Sequence, residues 1–225
     1  MIRPQARPST GPHSEPSPEP AWEVATLFPP QGDWNESDYL TLATNRLVEL
    51  SDGRLEVLPM PTEWHQWIVA FLFRRLSEFV ALHDSGVCLF APVRVRVASG
   101  RFREPDIVFM RKSHSARRSN RFWDGADLVM EVVSDDDPDR DWVIKRREYE
   151  EAAIPEYWIV DPRDRSITVL CLDASSGRYR PADAGQPDRE SPLTPVAESS
   201  ARSRLLPGFS VPIRETFEWD GSSAC

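Results

Sequence analysis

Two short strings, EPDIVFM at residues 104–110 and DLVMEVV at residues 127–133, decide the fold of this chain. Both contain an apolar run of strand length, and in the first string this run, DIVFM, follows Pro105. The second run is nearly continuous, which is typical of a buried central strand, but Glu131 interrupts it. The sequence therefore predicts two core strands, each carrying an acidic residue where burial makes charge costly.

Three segments around these strands have the pattern of helices. The longest starts at the capping residue Thr62 and repeats apolar residues at spacings of three and four, from His65 and Ile68 to Phe79. Gly86 is expected to end it. The predicted helices are Ser37–Ala43 with Ser37 as cap, the segment that follows Thr62, and Asp141–Ala153, which stops before Pro155.

Four further segments have the pattern of strands. Arg46 to Val57 contains Asp52-Gly53, a dipeptide that favours a two-residue hairpin turn. Val93 to Val97 alternates valine with arginine, which predicts a half-buried strand. Glu156–Val160 and Ser166–Leu172 complete the set. The order of the elements predicts a mixed α/β (α+β) fold, in which helices flank a central mixed sheet.

Length and composition indicate one domain with a tail. The chain has 225 residues, 40% of them hydrophobic and 28% charged, an ordinary mixture for a soluble globular protein. Residues 1–21 are rich in proline and serine and are predicted to be a disordered tail, with the domain at residues 22–220. A second polar stretch, Ala182–Ser203, is expected to form a loop.

Cysteine usage and the absence of long apolar runs favour the cytoplasm. The three cysteines are scattered, so they predict neither a disulfide framework nor a CxxC metal site. The N-terminus lacks the apolar region of a signal peptide, and no apolar run is long enough to cross a bilayer. We expect a cytoplasmic protein without a membrane partner.

The charge pattern leaves two alternatives open. A net charge of −9 argues against tight, sequence-blind binding of nucleic acid, which needs basic surface. Basic residues nevertheless concentrate in two stretches, from Arg101 to Arg121 and from Lys145 to Arg147. These stretches are either solvated faces or contacts with phosphate.

The two core carboxylates, Asp106 and Glu131, are candidates for a metal site. Twenty-five positions separate them, enough for a loop that joins adjacent antiparallel strands and brings both side chains to one end of the sheet. Carboxylate oxygens with a backbone carbonyl and water form the shell that Mg²⁺ or Mn²⁺ prefers. The alternative is structural ion pairing, of Asp106 with Arg103 or of Glu131 with Lys145.

The helix after the second strand supplies a cation. Asp141, Lys145 and Tyr149 are spaced four apart and share one helical face, from which Lys145 could reach Glu131. A lysine near a metal-bound water orients the nucleophile and stabilises charge on phosphate. The alternative is an exposed ion pair, worth a few tenths of a kcal/mol.

These strings in this order resemble the Uma2 family (DUF820). EPDIVFM, LVMEVVS, the Asp141-Lys145-Tyr149 spacing and IPEYWIVDP follow one another as in that family, and the likeness runs from about Trp34 to Trp219. The family is assigned to the PD-(D/E)XK nucleases, which implies a metal-dependent, restriction endonuclease-like enzyme that hydrolyses phosphodiester bonds.

The resemblance also implies site residues. Asp106 and Glu131 would be the two acids, and the carbonyl of Val132 would complete the metal ligands. The usual lysine two residues after the second acid is absent, and Lys145 on the following helix would replace it. His65, Asp141 and Tyr149 are auxiliary candidates. A lone histidine on an apolar helix face is more often a core residue, and this alternative stays open for His65.

One departure from the family concerns the residues after Ser134. The family has small and basic residues there, whereas this chain has an acidic run from Asp135 to Asp139. That run would repel a phosphate backbone or hold a second cation.

Two functions follow from the sequence. The first is a Mg²⁺- or Mn²⁺-dependent endonuclease that acts on nucleic acid, DNA above all, with a homodimer as one expected state. The second is an inactive nuclease-fold module that binds DNA or protein. Motifs of serine hydrolases, P-loop enzymes and zinc proteases (GxSxG, GxxxxGK[ST], HExxH) are absent.

Overall fold

The computed structural model describes residues 28–44, 46–182 and 200–218. The compact unit that contains the sheets starts at Gln31. The predicted tail at residues 1–21 lies outside the described residues, as do residues 183–199 of the predicted loop. The domain boundaries therefore stay a prediction.

The described chain contains four α-helices and thirteen strands. The helices are α1 (Glu36–Thr41), α2 (Glu63–Leu82), α3 (Arg146–Glu151) and α4 (Ile213–Phe217). A 3-10 turn spans Lys112–Arg117, and a π-helical turn, Arg140–Lys145, leads directly into α3. The strands are β1 (Val48–Ser51), β2 (Arg54–Val57), β3 (Gly86–Phe90), β4 (Val95–Ala98), β5 (Arg101–Arg103), β6 (Ile107–Arg111), β7 (Trp123–Asp124), β8 (Leu128–Val132), β9 (Glu156–Asp161), β10 (Ser166–Asp173), β11 (Arg178–Pro181), β12 (Ser200–Arg202) and β13 (Ser210–Pro212).

A six-stranded mixed sheet forms the centre, in the order β11-β10-β9-β8-β6-β3. Strands β6 and β8 are adjacent and antiparallel, with Ile107 opposite Met130, as the sequence predicted. Strand β8 is parallel to β9 on its other side, and all five residues of β8 are buried. The prediction of a mixed α+β fold with a buried central strand is confirmed.

The alternation of β8 divides the core into two layers. Leu128 and Met130 face the apolar stripe of α2, which includes Leu72. Val129 belongs to the opposite layer, which also contains Tyr149 of α3. Glu131, at the next alternate position, therefore points to the α3 side of the sheet.

A second, five-stranded sheet in the order β2-β1-β5-β4-β7 was not foreseen. The predicted strand Val93–Val97 is β4, which starts at Val95 and lies in this second sheet rather than in the central mixed sheet. The predicted hairpin is confirmed: Ser51 pairs with Arg54 across Asp52 and Gly53. Both turn residues have positive φ, of 49° and 82°, as a hairpin turn of this type requires.

Two predicted helix ends were wrong. The cap of α1 is Asn35 rather than Ser37, because the Asn35 side chain accepts the Asp38 N–H at 3.0 Å. Helix α2 is capped by Thr62 as predicted, but it ends at Leu82. Gly86 begins β3 instead, where a Cβ atom would lie 2.1 Å from the Met110 carbonyl oxygen. No helix of the described residues is long and apolar enough to cross a membrane.

Candidate metal centre

Asp106 and Glu131 lie side by side at one end of the β6–β8 pair. Asp106 immediately precedes β6 and has the same strand parity as Val108, which packs in the α3-side layer with Val129. The two acids thus share one face of the sheet. The Val132 N–H donates to Asp106 Oδ2 at 2.8 Å, and the Asp106 N–H lies 3.4 Å from Glu131 Oε2. The backbone of each strand end therefore positions the other strand's acid.

Three side chains of the π-helical turn and α3 converge on these acids. Lys145 Nζ lies 3.0 Å from Glu131 Oε1 and 3.2 Å from Asp141 Oδ1. The Tyr149 hydroxyl donates to the same Glu131 oxygen at 2.5 Å. Of the three residues that sequence spacing placed on one helical face, Lys145 and Tyr149 therefore contact Glu131 directly, and Asp141 contacts Lys145.

Of the two structural ion pairs that the sequence allowed, the structure contains one. The pair between Glu131 and Lys145 exists, whereas Arg103 does not pair with Asp106 but binds Glu148 at 2.6 Å. The exposed alternative for Lys145 is wrong, because its side chain is only 7% exposed. A structural pair and a functional cation are compatible here, since the pair places the ammonium at the acids.

A π-helical turn carries Asp141 and Lys145. Such turns are rare, occur mostly as short insertions in α-helices and are frequent at functional sites. The Tyr157 hydroxyl donates to the Asp141 carbonyl at 3.0 Å, which ties the turn to β9. Asp141 and Lys145 are both buried. The turn thus packs against the sheet and is hydrogen-bonded to it.

His65 reaches the same acids from the first turn of α2. Its Nε2 lies 3.3 Å from Asp106 Oδ2, and its Nδ1 is buried without a hydrogen-bond partner among the described residues. Burial alone would lower the pKa of His65, but the hydrogen bond with Asp106 and the charges of Asp106 and Glu131 raise it. His65 is therefore part of the acidic site, not a core residue of the α2 stripe.

The site holds more negative charge than its cations neutralise. Burial raises the pKa of Glu131 to about 8, against the opposing effect of Lys145 and with the help of the charges on Asp106 and Asp141. Burial also raises the pKa of Asp141. Since three carboxylates share one ammonium, the site retains a proton at neutral pH in the absence of another cation.

This donor set fits a hard divalent cation. Two carboxylates and the Val132 carbonyl at the strand end offer oxygen ligands, and a cation would relieve their repulsion. No group of three His, Cys, Asp or Glu side chains within residues 28–44, 46–182 and 200–218 is already arranged to hold an ion. The side chains supply only part of a shell, so backbone and water oxygens would have to complete it.

The acids open onto a cleft of about 260 Å³. Its basic lining residues are Arg140 and Lys145, whereas Asp135 and Asp136 of the acidic run stand exposed at its wall. The apolar lining includes Pro59, Met60, Trp64, Phe90 and Pro162. The acidic run thus lies beside the candidate site, as its position in the sequence suggested.

Most of the basic residues found in the sequence do not face this cleft. Arg103 is buried against Glu148, and Lys112 pairs with Asp84. The Arg117 side chain donates to the Asp124 carbonyl at 2.7 Å. The basic stretches therefore do not form a continuous phosphate track into the cleft.

Sequence reasoning missed a buried ion network behind the site. Glu49 of β1 is fully buried; its carboxylate lies 3.3 Å from Arg103 and 2.5 Å from Arg140, and it accepts the Glu104 N–H at 3.0 Å. The only sequence signal was a glutamate between two buried residues, Val48 and Leu50, in a short strand. Nothing local linked it to Arg140, 91 positions later.

The comparisons agree with this architecture. The chain resembles a crystal structure described as "a putative nuclease belonging to DUF820" from Anabaena variabilis, with a TM-score of 0.63 and 17% identity over 83% of this chain and 98% of the other. No curated protein matches the chain. A sequence model of the Uma2 family, described as "Putative restriction endonuclease", matches residues 36–207. That match spans well over half of the 225 residues, and the chain belongs to the Uma2 family.

Proposed function

We propose that this protein is a Mg²⁺- or Mn²⁺-dependent endonuclease whose site consists of Asp106, Glu131, the Val132 carbonyl and Lys145. The observation that carries the proposal is the grouping of Asp106, Glu131 and Asp141 near one lysine, at the ends of β6 and β8 and on the turn that follows. Burial, together with the charges of Asp106 and Asp141, raises the pKa of Glu131 to about 8. Excess negative charge in a cleft is costly for a structural site, and binding of a divalent cation removes that cost. The family to which the chain belongs supports nuclease chemistry.

Each residue has a distinct part in the proposed reaction. A divalent ion bound by the two acids would polarise the scissile phosphate and lower the pKa of a water. Lys145 stays protonated, because the charges of Asp141 and Glu131 outweigh its burial and raise its pKa. It therefore acts as a fixed positive charge that orients water and stabilises the developing phosphorane, not as a base.

Asp141 and Tyr149 act as positioning residues. Asp141 holds the ammonium at 3.2 Å from one side. Burial and the charge of Glu131 raise the pKa of Tyr149 well above its ordinary value, so its hydroxyl remains a donor to Glu131. His65, whose Nε2 lies 3.3 Å from Asp106 Oδ2, orients that acid.

A second candidate function is a module of the same fold that binds nucleic acid or protein without cleaving it. The observations that favour it are the net charge of −9 and the acidic wall formed by Asp135 and Asp136. The convergence of Lys145 and Tyr149 on Glu131 favours the enzyme, because a binding module has no need of a buried lysine beside two acids.

The test is metal-dependent cleavage by the purified full chain. Plasmid DNA, single-stranded DNA and RNA are incubated with Mg²⁺ or Mn²⁺ at low salt, and products are separated on gels. We expect cleavage that chelation abolishes and that Asp106→Asn removes. Asp84→Asn, an exposed acid on the loop after α2, serves as the matched control and should cleave normally. No cleavage of any substrate by a protein that still binds Mn²⁺ would favour the binding module.

A further inference from the structure

A second cavity adjoins the candidate metal centre and shares a wall with it. This cavity has a volume of about 630 Å³, and both it and the cleft are lined by Leu47 and Glu104. The end of β3 and the two residues after it also belong to the partition: Phe90 and Ala91 line the cleft, whereas Leu89 and Pro92 line the second cavity. The two cavities are therefore adjacent and separated by this partition.

The second cavity is basic where the cleft is acidic. Arg46, Arg94 and Arg121 line it, and Glu104 is its acidic residue. Arg94 is already engaged: its Nη1 donates to the Leu40 carbonyl at 3.3 Å, its Nε lies 3.6 Å from Glu104, and its guanidinium lies over the Tyr39 ring. Arg94 thus balances Glu104, and the charge available to a ligand comes from the other two arginines.

The side chains of Arg46 and Arg121 are exposed and have no ion-pair or hydrogen-bond partner within the described ranges. The backbone that carries Arg121 is nevertheless fixed, because Ser119 Oγ accepts the N–H groups of Arg121 and Phe122 and donates to the Phe122 carbonyl at 2.7 Å. Most other arginines of the basic stretches are consumed by internal contacts. The second cavity thus carries two guanidinium groups that no other side chain of the described residues engages.

We propose that the second cavity binds a backbone phosphate of the substrate strand next to the scissile phosphate, through Arg46 and Arg121. The inference rests on the proposed nuclease function and adds where the substrate lies. A guanidinium suits this role because its planar donors match two phosphate oxygens. Such a site would also reconcile substrate binding with the net charge of −9 and the acidic wall of the cleft. The cleft would need positive charge only at the reacting phosphate, because the arginines of the second cavity would neutralise the neighbouring phosphate.

The test separates binding in the second cavity from chemistry in the cleft. Arg46→Gln, Arg121→Gln and the double variant are compared with Arg202→Gln, an exposed arginine on β12 that lines neither cavity. Two substrates are used: a short single-stranded oligonucleotide and bis(p-nitrophenyl) phosphate, a diester without flanking phosphates. Fluorescence anisotropy of the labelled oligonucleotide at several salt concentrations gives affinity independently of cleavage, and thermal melts verify folding.

We expect the double variant to bind and cleave the oligonucleotide at least several-fold more weakly, with the salt slope of log affinity reduced by about one for each arginine. Hydrolysis of the small diester should stay unchanged, and Arg202→Gln should behave as wild type. Equal affinity and salt slope in the double variant and in Arg202→Gln would overturn the inference. So would equal losses on both substrates, since the arginines would then serve the reacting phosphate itself.

Failure of the proposed function gives a different pattern. If the wild type hydrolyses neither substrate, the nuclease proposal fails, but anisotropy still reports on the second cavity. Weaker oligonucleotide binding in the double variant alone would then support a nucleic-acid site without catalysis. A wild type that binds no oligonucleotide at any salt concentration would sink the inference as well.

Discussion

Two neighbouring clusters of buried charge differ in their balance. The candidate metal centre brings three carboxylates, Asp106, Glu131 and Asp141, to one lysine, with His65 at its edge. The buried ion network behind it joins three glutamates, Glu49, Glu56 and Glu148, to three arginines, Arg101, Arg103 and Arg140. Both clusters are inside the protein, so burial alone does not distinguish function from structure.

The pKa directions express this difference. Burial would raise the pKa of Glu49, but Lys145, Arg103 and Arg140 together lower it below its ordinary value. The pKa of Glu131 rises to about 8, because Lys145 does not offset burial and two further acids. A cluster whose carboxylates are neutralised by arginines or lysines needs no further positive charge. A cluster with more carboxylates than cations is neutralised only when it binds a proton or a metal cation. We take the deficit of positive charge as the mark of the functional site.

The largest expected effect is on stability, in the balanced network. Arg103 donates to both carboxylate oxygens of Glu148 at 2.6 Å, so Arg103→Met leaves Glu148 buried without its main partner and removes one of the two arginines at Glu49. We expect a loss of about 3–5 kcal/mol in the free energy of unfolding, measured by urea titration. The matched control is Arg147→Met, whose exposed pair with Glu151 should cost less than about 1 kcal/mol. Equal, small losses in both variants would mean that the network is not structural.

The next effect is on catalysis, in the unbalanced site. Lys145→Met should lower kcat for metal-dependent cleavage by about 10²–10³-fold, because one preorganised charge at the phosphate is lost. Lys112→Met, an exposed lysine paired with Asp84, should keep wild-type kcat. Single-turnover kinetics at saturating Mn²⁺ measures both. A kcat within a few-fold of wild type for Lys145→Met would assign Lys145 to structure, like the arginines of the network.

The fold was predictable where the signal is local. The hairpin around Asp52-Gly53, helix α2 and strands β6, β8 and β9 follow from turn chemistry, apolar spacing and apolar runs. The second sheet was not predictable, because β1 joins β5 across about 50 positions and nothing in either strand specifies the other. Strand β3 was missed because Gly86 resembled a helix stop, although its missing Cβ serves the close approach to β6.

The residues of the site, too, were predictable only where the signal is local. Strand alternation and the spacing of Asp141, Lys145 and Tyr149, together with the family resemblance, were enough to select the residues that the structure brings together at Glu131. The partners of Glu49 were not predictable, since each ion pair in that network links strands or turns distant in sequence. Neither was the π-helical turn, because its hydrogen bonds depend on tertiary support from residues such as Tyr157.

The smallest effect, and the sharpest test of the comparison, is the pH dependence of cation binding. Glu131 has a folded pKa of about 8 against an ordinary value of 4.5, so the folded protein holds a proton that the unfolded chain has lost. Without metal, stability should therefore fall as pH rises through that window. A divalent ion must displace the proton, so its affinity should rise by up to about tenfold per pH unit until pH 8 and then level off. At an ion concentration about a hundredfold above Kd, the stabilisation is about 2.7 kcal/mol.

Thermal melts with Mn²⁺ should show a rise in Tm that grows from pH 6 to 8. Asp106→Asn should remove most of that rise, whereas the double variant Asp135→Asn, Asp136→Asn should keep it. If the acidic-run variant loses the rise instead, the cation binds at the wall of the cleft, and the deficit of charge at Glu131 has another cause.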